Sequence, residues 1–333
     1  NDNNFGNGVE FSDLRIGAKV AYQNWDMKLE IGYTGNKATI KDAFAKYTYK
    51  NHSIQVGQFY EPFSLEMMCS TFDIRFNQSP GAVLALTNGR RMGITYGYRN
   101  KRHYMSGGAF MDNEVNNLKK ASHGYALDGR VVYRPVLDSK KLIHIGFAAN
   151  YRTPNESLNE EDKNIFIYKS PGVSTIDNRN IAMATIDHVA YQIKFGTELL
   201  VYYHRFCLQS EYIRTHVERD NAFKNYVAQG AYLQCSWLLS GETYLYDESV
   251  ACAGRPEGKS LEVCSRFNYL TLNDEDAAIW GGEQKDISIG LNYYINKYIG
   301  IKLNYSYLMP GASIKEISRK NFSVFQGRFQ FIF

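Results

Sequence analysis

Proline and tryptophan are scarce in this chain, at 7 and 3 of 333 residues. Long apolar runs are missing too: no stretch approaches the ~18 unbroken apolar residues of a membrane-crossing helix. The mean hydropathy of −0.40 is also too polar for a helical membrane protein. Segments of helical period are absent at any useful length, which excludes an α-helical bundle. Charge of one sign is not concentrated either, since 38 Lys and Arg face 34 Asp and Glu for a formal +4. Both signs are scattered, so the clustered basic surface of a nucleic-acid binder is excluded. Five cysteines, Cys69, Cys207, Cys235, Cys252 and Cys264, are an odd number without metal-ligand spacing. Cys252 and Cys264 flank one connection and are the first candidates for a bridge, although small unpaired side chains account for all five more simply. The opening NDNNFGNG has no basic segment followed by an apolar one, so mature or truncated sequence is expected.

What is present is aromatic residues at 14%, with 26 Tyr among them, and a period of two. The final stretch NFSVFQGRFQFIF sets Phe325, Gly327, Phe329, Phe331 and Phe333 on one face against Val324, Gln326, Arg328 and Gln330 on the other. A soluble sheet would bury such an aromatic face, whereas a transmembrane barrel turns it to lipid and lines its lumen with the polar one. The same alternation recurs through the chain. Arg15 to Gln23 opposes Ile16, Ala18, Val20 and Tyr22 to Arg15, Gly17 and Lys19, and fifteen such segments can be counted up to Phe333. An all-β, antiparallel transmembrane barrel of about 16 strands is therefore expected, as one domain. Tight turns alternate with long connections at 62–88, 112–122, 153–187, 218–225, 273–285 and 309–320, which puts periplasmic turns on one rim and extracellular loops on the other. Only 240–259 is long on the turn side, and it should fold inward or under the barrel mouth. Parity places Asn1 in an extracellular loop. A sixteenth strand before Asn1, or an irregular closure by Asn3 to Phe11, is expected to complete an even-stranded barrel.

No catalytic constellation stands out. His103, His123, His144, His188, His204 and His216 are scattered without a partnered Ser or Cys, and the Gly-containing runs lack the context of a phosphate loop. No metal or cofactor is expected. Charge on the polar faces is more informative. The basic residues expected to line the pore are Arg15, Lys19, Lys28, Lys46, Arg91, Arg99, Arg130, Arg134, Lys194, Arg266, Lys302 and Arg328, against Glu30, Asp42, Asp128, Glu198, Glu211 and Glu262. Twelve against six predicts a mild preference for anions. Pairing between neighbouring strands would absorb many of them. The insertion 62–88 is too apolar to wave in water, with Leu65, Met67, Phe72, Ile74 and Phe76. It is expected inside the barrel as a constriction, with Glu66, Asp73 and Arg75 facing the pore. The longest insertion, 153–187, is expected as an extracellular loop with Glu156, Glu160, Glu161, Asp162, Lys163 and Lys169 in solvent.

Several stretches resemble one family, the phosphate-selective porins O and P. Val56-Gly57-Gln58-Phe59 runs into Pro62-Phe63-Ser64-Leu65-Glu66; Leu208-Gln209-Ser210-Glu211-Tyr212 and Leu239-Ser240-Gly241-Glu242 with Tyr246-Asp247 follow. Leu261-Glu262-Val263 with Ser265-Arg266, Gly281-Gly282 and Gly290-Leu291-Asn292-Tyr293-Tyr294 complete the set in the family's order. The resemblance implies a 16-stranded barrel of the bacterial outer membrane, a homotrimer, with loops folded into the lumen and passive uptake of anions. Where the family's paired arginines would stand before the first matched strand, this chain has Ser12-Asp13 and then Arg15, which puts phosphate selectivity in question. The expected function is passive diffusion of small anions or other hydrophilic solutes, with lipid as the outer partner. The alternatives are a plugged barrel that docks a surface complex and a barrel hydrolase.

Overall fold

Hydrocarbon cannot hydrogen-bond, so a chain that crosses a bilayer with strands must pair every strand and turn apolar side chains outward. The computed structural model describes residues 6–34, 37–112, 123–155, 164–174, 176, 179–220, 222–311 and 320–333. The strands of the wall are β1 (Leu14–Tyr22), β2 (Trp25–Thr34), β3 (Lys37–Tyr49), β4 (His52–Tyr60), β5 (Arg90–Arg99), β6 (His103–Met111), β7 (Tyr125–Leu137) and β8 (Lys141–Arg152). Two short strands, β9 (Phe166–Ser170) and β10 (Ala182–Ile186), follow, and then β11 (Val189–Tyr203), β12 (Phe206–Arg219) and β13 (Tyr226–Ser240). After a second short pair, β14 (Tyr244–Asp247) and β15 (Cys252–Pro256), the wall resumes with β16 (Ser260–Asp274), β17 (Ile279–Tyr294), β18 (Ile299–Pro310) and β19 (Phe322–Phe331).

Fifteen of these strands form one antiparallel sheet in sequence order, with β9–β10 and β14–β15 as separate hairpins. The fifteen agree one for one with the alternating segments of the sequence. β1 and β19 are the two ends of the sheet, and no pairing between them is formed among the described residues. Residues 6–13 carry no strand, and 1–5 lie outside the described residues. The expected sixteenth strand is thus not part of the described sheet.

One face of the sheet is apolar and exposed, with Ile94, Tyr96, Phe147, Phe195, Ile289 and Phe329 on it. The other is polar and enclosed, with Gln209, Gln234, Asn268, Asp286 and Asn292 at 0–1% exposure. Aromatic rings collect outside at strand ends: Tyr125, Tyr151 and Tyr191 stand in a row on β7, β8 and β11, and Trp25 touches Tyr47 on the opposite rim. The tight turns there need a left-handed residue, which Gln23, Lys50 and His204 supply at φ 52°, 54° and 52°.

Between β4 and β5 the chain forms two short helices, α1 (Leu65–Met68) and α2 (Gly81–Leu86), packed against the enclosed face. The sequence departs from the structure at 273–285, expected as a loop, because β17 begins at Ile279 rather than Ile287. A register shift between Thr271 and Asn273 lets the strands extend, and the Asn273 side chain accepts from Gly282 N at 2.7 Å where Gly282 takes φ 92°. Within 153–187, residues 156–163, with five of the six charges expected in solvent, lie outside the described residues, and Lys169 is exposed. The described part is less open than expected. Tyr168, Ala182, Ala184 and Ile186 of the β9–β10 hairpin pack with Val83 and Leu86 of α2.

Gly57 of β4 adopts φ 133°, and a Cβ there would collide with Ala43 O. Beside it, the Gln58 amide donates to Ile40 O at 2.8 Å and Lys41 O at 2.9 Å, closing the irregular start of β3. Gly57→Ala is expected to destabilise the barrel by on the order of 2 kcal/mol. The temperature at which the folded band is lost on a semi-native gel checks this; an unchanged temperature would contradict it.

Candidate functional site

The lumen is a large polar interior, and the segment after β4 divides it. Glu211, on the enclosed face of β12, accepts from Leu65 N at 2.7 Å, Glu66 N at 3.0 Å, Ser64 Oγ at 3.2 Å and Tyr232 Oη at 2.8 Å. A carboxylate at the first turn of α1, with Ser64 as its N-cap, satisfies donors that a helix start leaves unpaired. Downstream, side chains of the wall bind the segment's backbone. Arg266 donates to Gln78 O at 2.8 Å, Arg328 to Asn77 O at 2.6 Å and Asn292 to Arg75 O at 2.9 Å; Asn304 accepts from Asn77 N at 2.8 Å. Lys302 donates to Phe72 O and Ile74 O.

These contacts change what the basic residues do. Arg266 and Lys302 face the interior as the alternation requires, yet both are buried beneath the packed segment. Lys194 reaches Asn88 at 3.2 Å, and Arg328 is half-buried. Arg130 pairs with Glu198 at 2.9 Å and donates to Val250 O and Ala251 O, each at 2.7 Å. Glu198 also bonds His144 at 2.8 Å, so that histidine belongs to a structural network. Arg134 lies within 3.6 Å of Glu248 and donates to Asn100 O. The 241–259 segment is therefore held inside the barrel from the turn side.

Glu66 and Arg75, expected to face the pore, are instead buried at 2% and 1% exposure. The apolar side chains of 62–88 dock on the wall and carry both charges under with them. Burial pushes the Glu66 carboxyl above its usual range, with Arg266, Gln209 and Arg75 opposing. Arg75 donates to Gly254 O at 2.9 Å and lies 3.6 Å from Glu262. Asp73 is half-buried, 3.4 Å from Arg255.

Open space remains on the other side. A cavity of about 390 Å³ is bordered by β1–β6 and the tip of the 247–250 turn. Lys19, Lys28, Lys46 and Arg99 border it, with Asp26, Asp42 and Asp247. Lys28 is neutralised by Asp42 at 2.6 Å and Glu30 at 2.9 Å, and Lys19 lies 3.7 Å from Asp26. Among the described residues, Lys46 and Arg99 form no ion pair, so they are the cations left facing the cavity. Arg15 is engaged by Asp13 and Glu30, and Arg91 by Asp112. Sequence reasoning missed Arg90, Glu61, Asp112 and Arg152. Arg90 joins Asp42 at 2.6 Å, and Arg152 bridges Glu61 and Asp112. The strand alternation carried Arg152 but not its loop-borne partners. No group of three or more His, Cys, Asp or Glu among the described residues is placed to hold a metal.

Apolar staves outside, a polar interior and segments folded into the lumen are the features of an outer-membrane barrel of the porin class. The chain belongs to the family described as phosphate-selective porin O and P, which it matches over residues 2–333. Its place is the bacterial outer membrane. It is 26% identical over 330 residues to an uncharacterized protein of Caulobacter vibrioides, covering 92% of this chain and 64% of that protein. It is 26% identical over 113 residues to Porin O of Pseudomonas aeruginosa, covering 30% of this chain and 26% of that protein. Among solved structures it resembles the anion-selective porin from Comamonas acidovorans, with TM-score 0.58, 11% identity and coverage of 96% of this chain and 89% of that one. OmpT of Vibrio cholerae, in a trimer form, gives TM-score 0.57 at 8% identity, covering 96% and 91%.

Removing the Glu211 carboxylate would leave four buried donors without their acceptor. Glu211→Ala is expected to destabilise the fold by on the order of 3 kcal/mol and to loosen α1 from the wall. Single-channel recordings should show larger and noisier current than wild type; an unchanged trace would contradict this assignment.

Proposed function

We propose that this protein is a passive diffusion channel with a mild preference for small anions, phosphate among them, working as a homotrimer. The observation that carries the preference is that Lys46 and Arg99 border the open cavity outside any ion pair among the described residues, two cations with Asp247 on the same border. A fixed positive charge in a passage walled by low dielectric raises the local anion concentration and lowers the entry barrier. The other basic residues contribute indirectly, by keeping 62–88 against the wall and so setting the width of the passage. In this account 62–88 is the constriction. The family's description names phosphate, and one similar structure is that of an anion-selective porin. The trimer form of the Vibrio cholerae OmpT structure supports the assembly. The replacement of the expected arginines by Ser12-Asp13 bears on phosphate least directly, because Asp13 is engaged by Arg15 at 2.7 Å and Thr71 at 2.8 Å.

Planar-bilayer recording across a KCl gradient should give a reversal potential of the sign set by chloride, and added phosphate should reduce the chloride current. The double substitution Lys46→Glu with Arg99→Glu should move the anion-to-cation permeability ratio towards cations by on the order of threefold or more. Arg266→Gln should alter conductance rather than the ratio. Cation-dominated current in the wild type would contradict the anion preference, and absence of current would favour the plugged anchor.

A further inference from the structure

Two of the five cysteines meet where the two inward segments touch. Cys69 ends α1, its amide donating to Glu66 O at 3.2 Å and its thiol to Leu65 O at 3.2 Å. Cys252 begins β15, directly after Val250 and Ala251, whose carbonyls are clamped by Arg130 at 2.7 Å each. Both side chains are buried in one apolar cluster with Leu65, Ile74, Tyr244 and Ala253. Cys252 is near enough to act on the Cys69 thiol, and Cys264 lies outside that cluster. Cys264 points at Asn292, 3.7 Å away. The sequence's first candidate pair is therefore not the pair that the fold brings together.

We propose that Cys69 and Cys252 are a disulfide site that joins the segment folded in from the loop rim to the hairpin folded in from the turn rim. Three observations carry it. The two side chains are buried in the same cluster, at the meeting of α1 and β15, as a cross-link between the segments requires. Cys69 is held by the hydrogen bonds of its own amide and thiol, and Cys252 by its pairing with Asp247 across the β14–β15 hairpin, so little ordering is left for the bond to impose. The chain also reaches its membrane through an oxidising compartment, where adjacent thiols persist as disulfides. Cys207, Cys235 and Cys264 have no thiol partner placed in this way.

The chemistry is thiol–disulfide exchange with a disulfide donor of that compartment. One cysteine, as thiolate, attacks the donor's disulfide and releases one donor thiol, leaving a mixed disulfide. The second attacks the protein sulfur of that mixed disulfide and releases the other donor thiol. Two protein thiols lose two electrons and two protons, and the donor is reduced by the same amount. In the folded barrel the contact with Cys252 and burial hold the Cys69 thiol well above its ordinary range, so exchange belongs to assembly, before the segment packs. Once formed, the bond fixes the partition between the filled and open halves of the lumen. This inference does not depend on which ion the channel passes.

The test uses the full chain taken from the outer membrane without reductant and with a maleimide present throughout. Proteolysis and mass spectrometry should recover a peptide carrying Cys69 joined to one carrying Cys252, two hydrogens lighter than the separate peptides. After heating without reductant, the chain should run faster on a denaturing gel than after reduction. Cys264→Ser should keep that difference, and Cys69→Ser should abolish it. Recovery of Cys69 and Cys252 both alkylated, or of a Cys252–Cys264 link, would overturn the proposal. Because the peptides are read from the wild-type chain, a variant that fails to fold does not blur the outcome.

Discussion

The constraint on which everything else rests is that lipid hydrocarbon supplies no hydrogen bonds. Backbone groups must be met by neighbouring strands, and polar side chains must find partners on the enclosed side. Fifteen antiparallel strands in sequence order meet the first demand everywhere but along the outer edges of β1 and β19, and an inner face rich in Gln, Asn, Arg and Lys poses the second. A water-filled tube would answer with solvent. Here, on the side formed by β7 to β19, the answer comes largely from the chain itself, whose carbonyls and amides at 61–88 and 248–254 take up the wall's donors and acceptors.

That exchange decides which charges can act on a solute. A guanidinium or ammonium surrounded by carbonyls and excluded from water is structural, because breaking such a contact leaves a buried charge without compensation. Arg130, Arg266 and Lys302 belong to that group. The side formed by β1 to β6 keeps open space, and there the charges form a chain of pairs from Asp13 through Arg15, Glu30 and Lys28 to Asp42 and Arg90. Lys46 and Arg99 stand outside that chain. On the proposed function, the asymmetry of the lumen, rather than the total charge of its wall, sets what a passing ion meets.

Much of the wall was legible from the sequence, because a period of two runs clearly through strands such as β7, β11, β12 and β17. The face assignments of Leu127, Val131 and Tyr133 against Asp128, Arg130 and Arg134 hold in the structure. What escaped was long-range. Period two says which side a residue faces but not what fills that side, so Arg266 beside the passage and Arg266 beneath a packed segment look alike. Apolar residues on the inner face, such as Ile213, Val217 and Leu270, make sense only once α2 is seen against them. The 273–285 stretch read as a loop because its glycines and acidic residues are those of turns, while the bulge at Asn273 that extends the strands depends on its partner. Cysteine spacing pointed to Cys252 and Cys264, and only the approach of two inward segments placed Cys69 beside Cys252.

The division of the lumen is tested most directly by labelling single cysteines with a water-soluble thiol reagent in a barrel otherwise free of cysteine. Gln55→Cys would sit at the border of the open cavity, and Asn268→Cys beneath α2 on the enclosed face of β16. The first should react at least roughly tenfold faster than the second and lower the current as it does so. Equal rates, or faster reaction at position 268, would contradict a lumen that is filled on one side and open on the other.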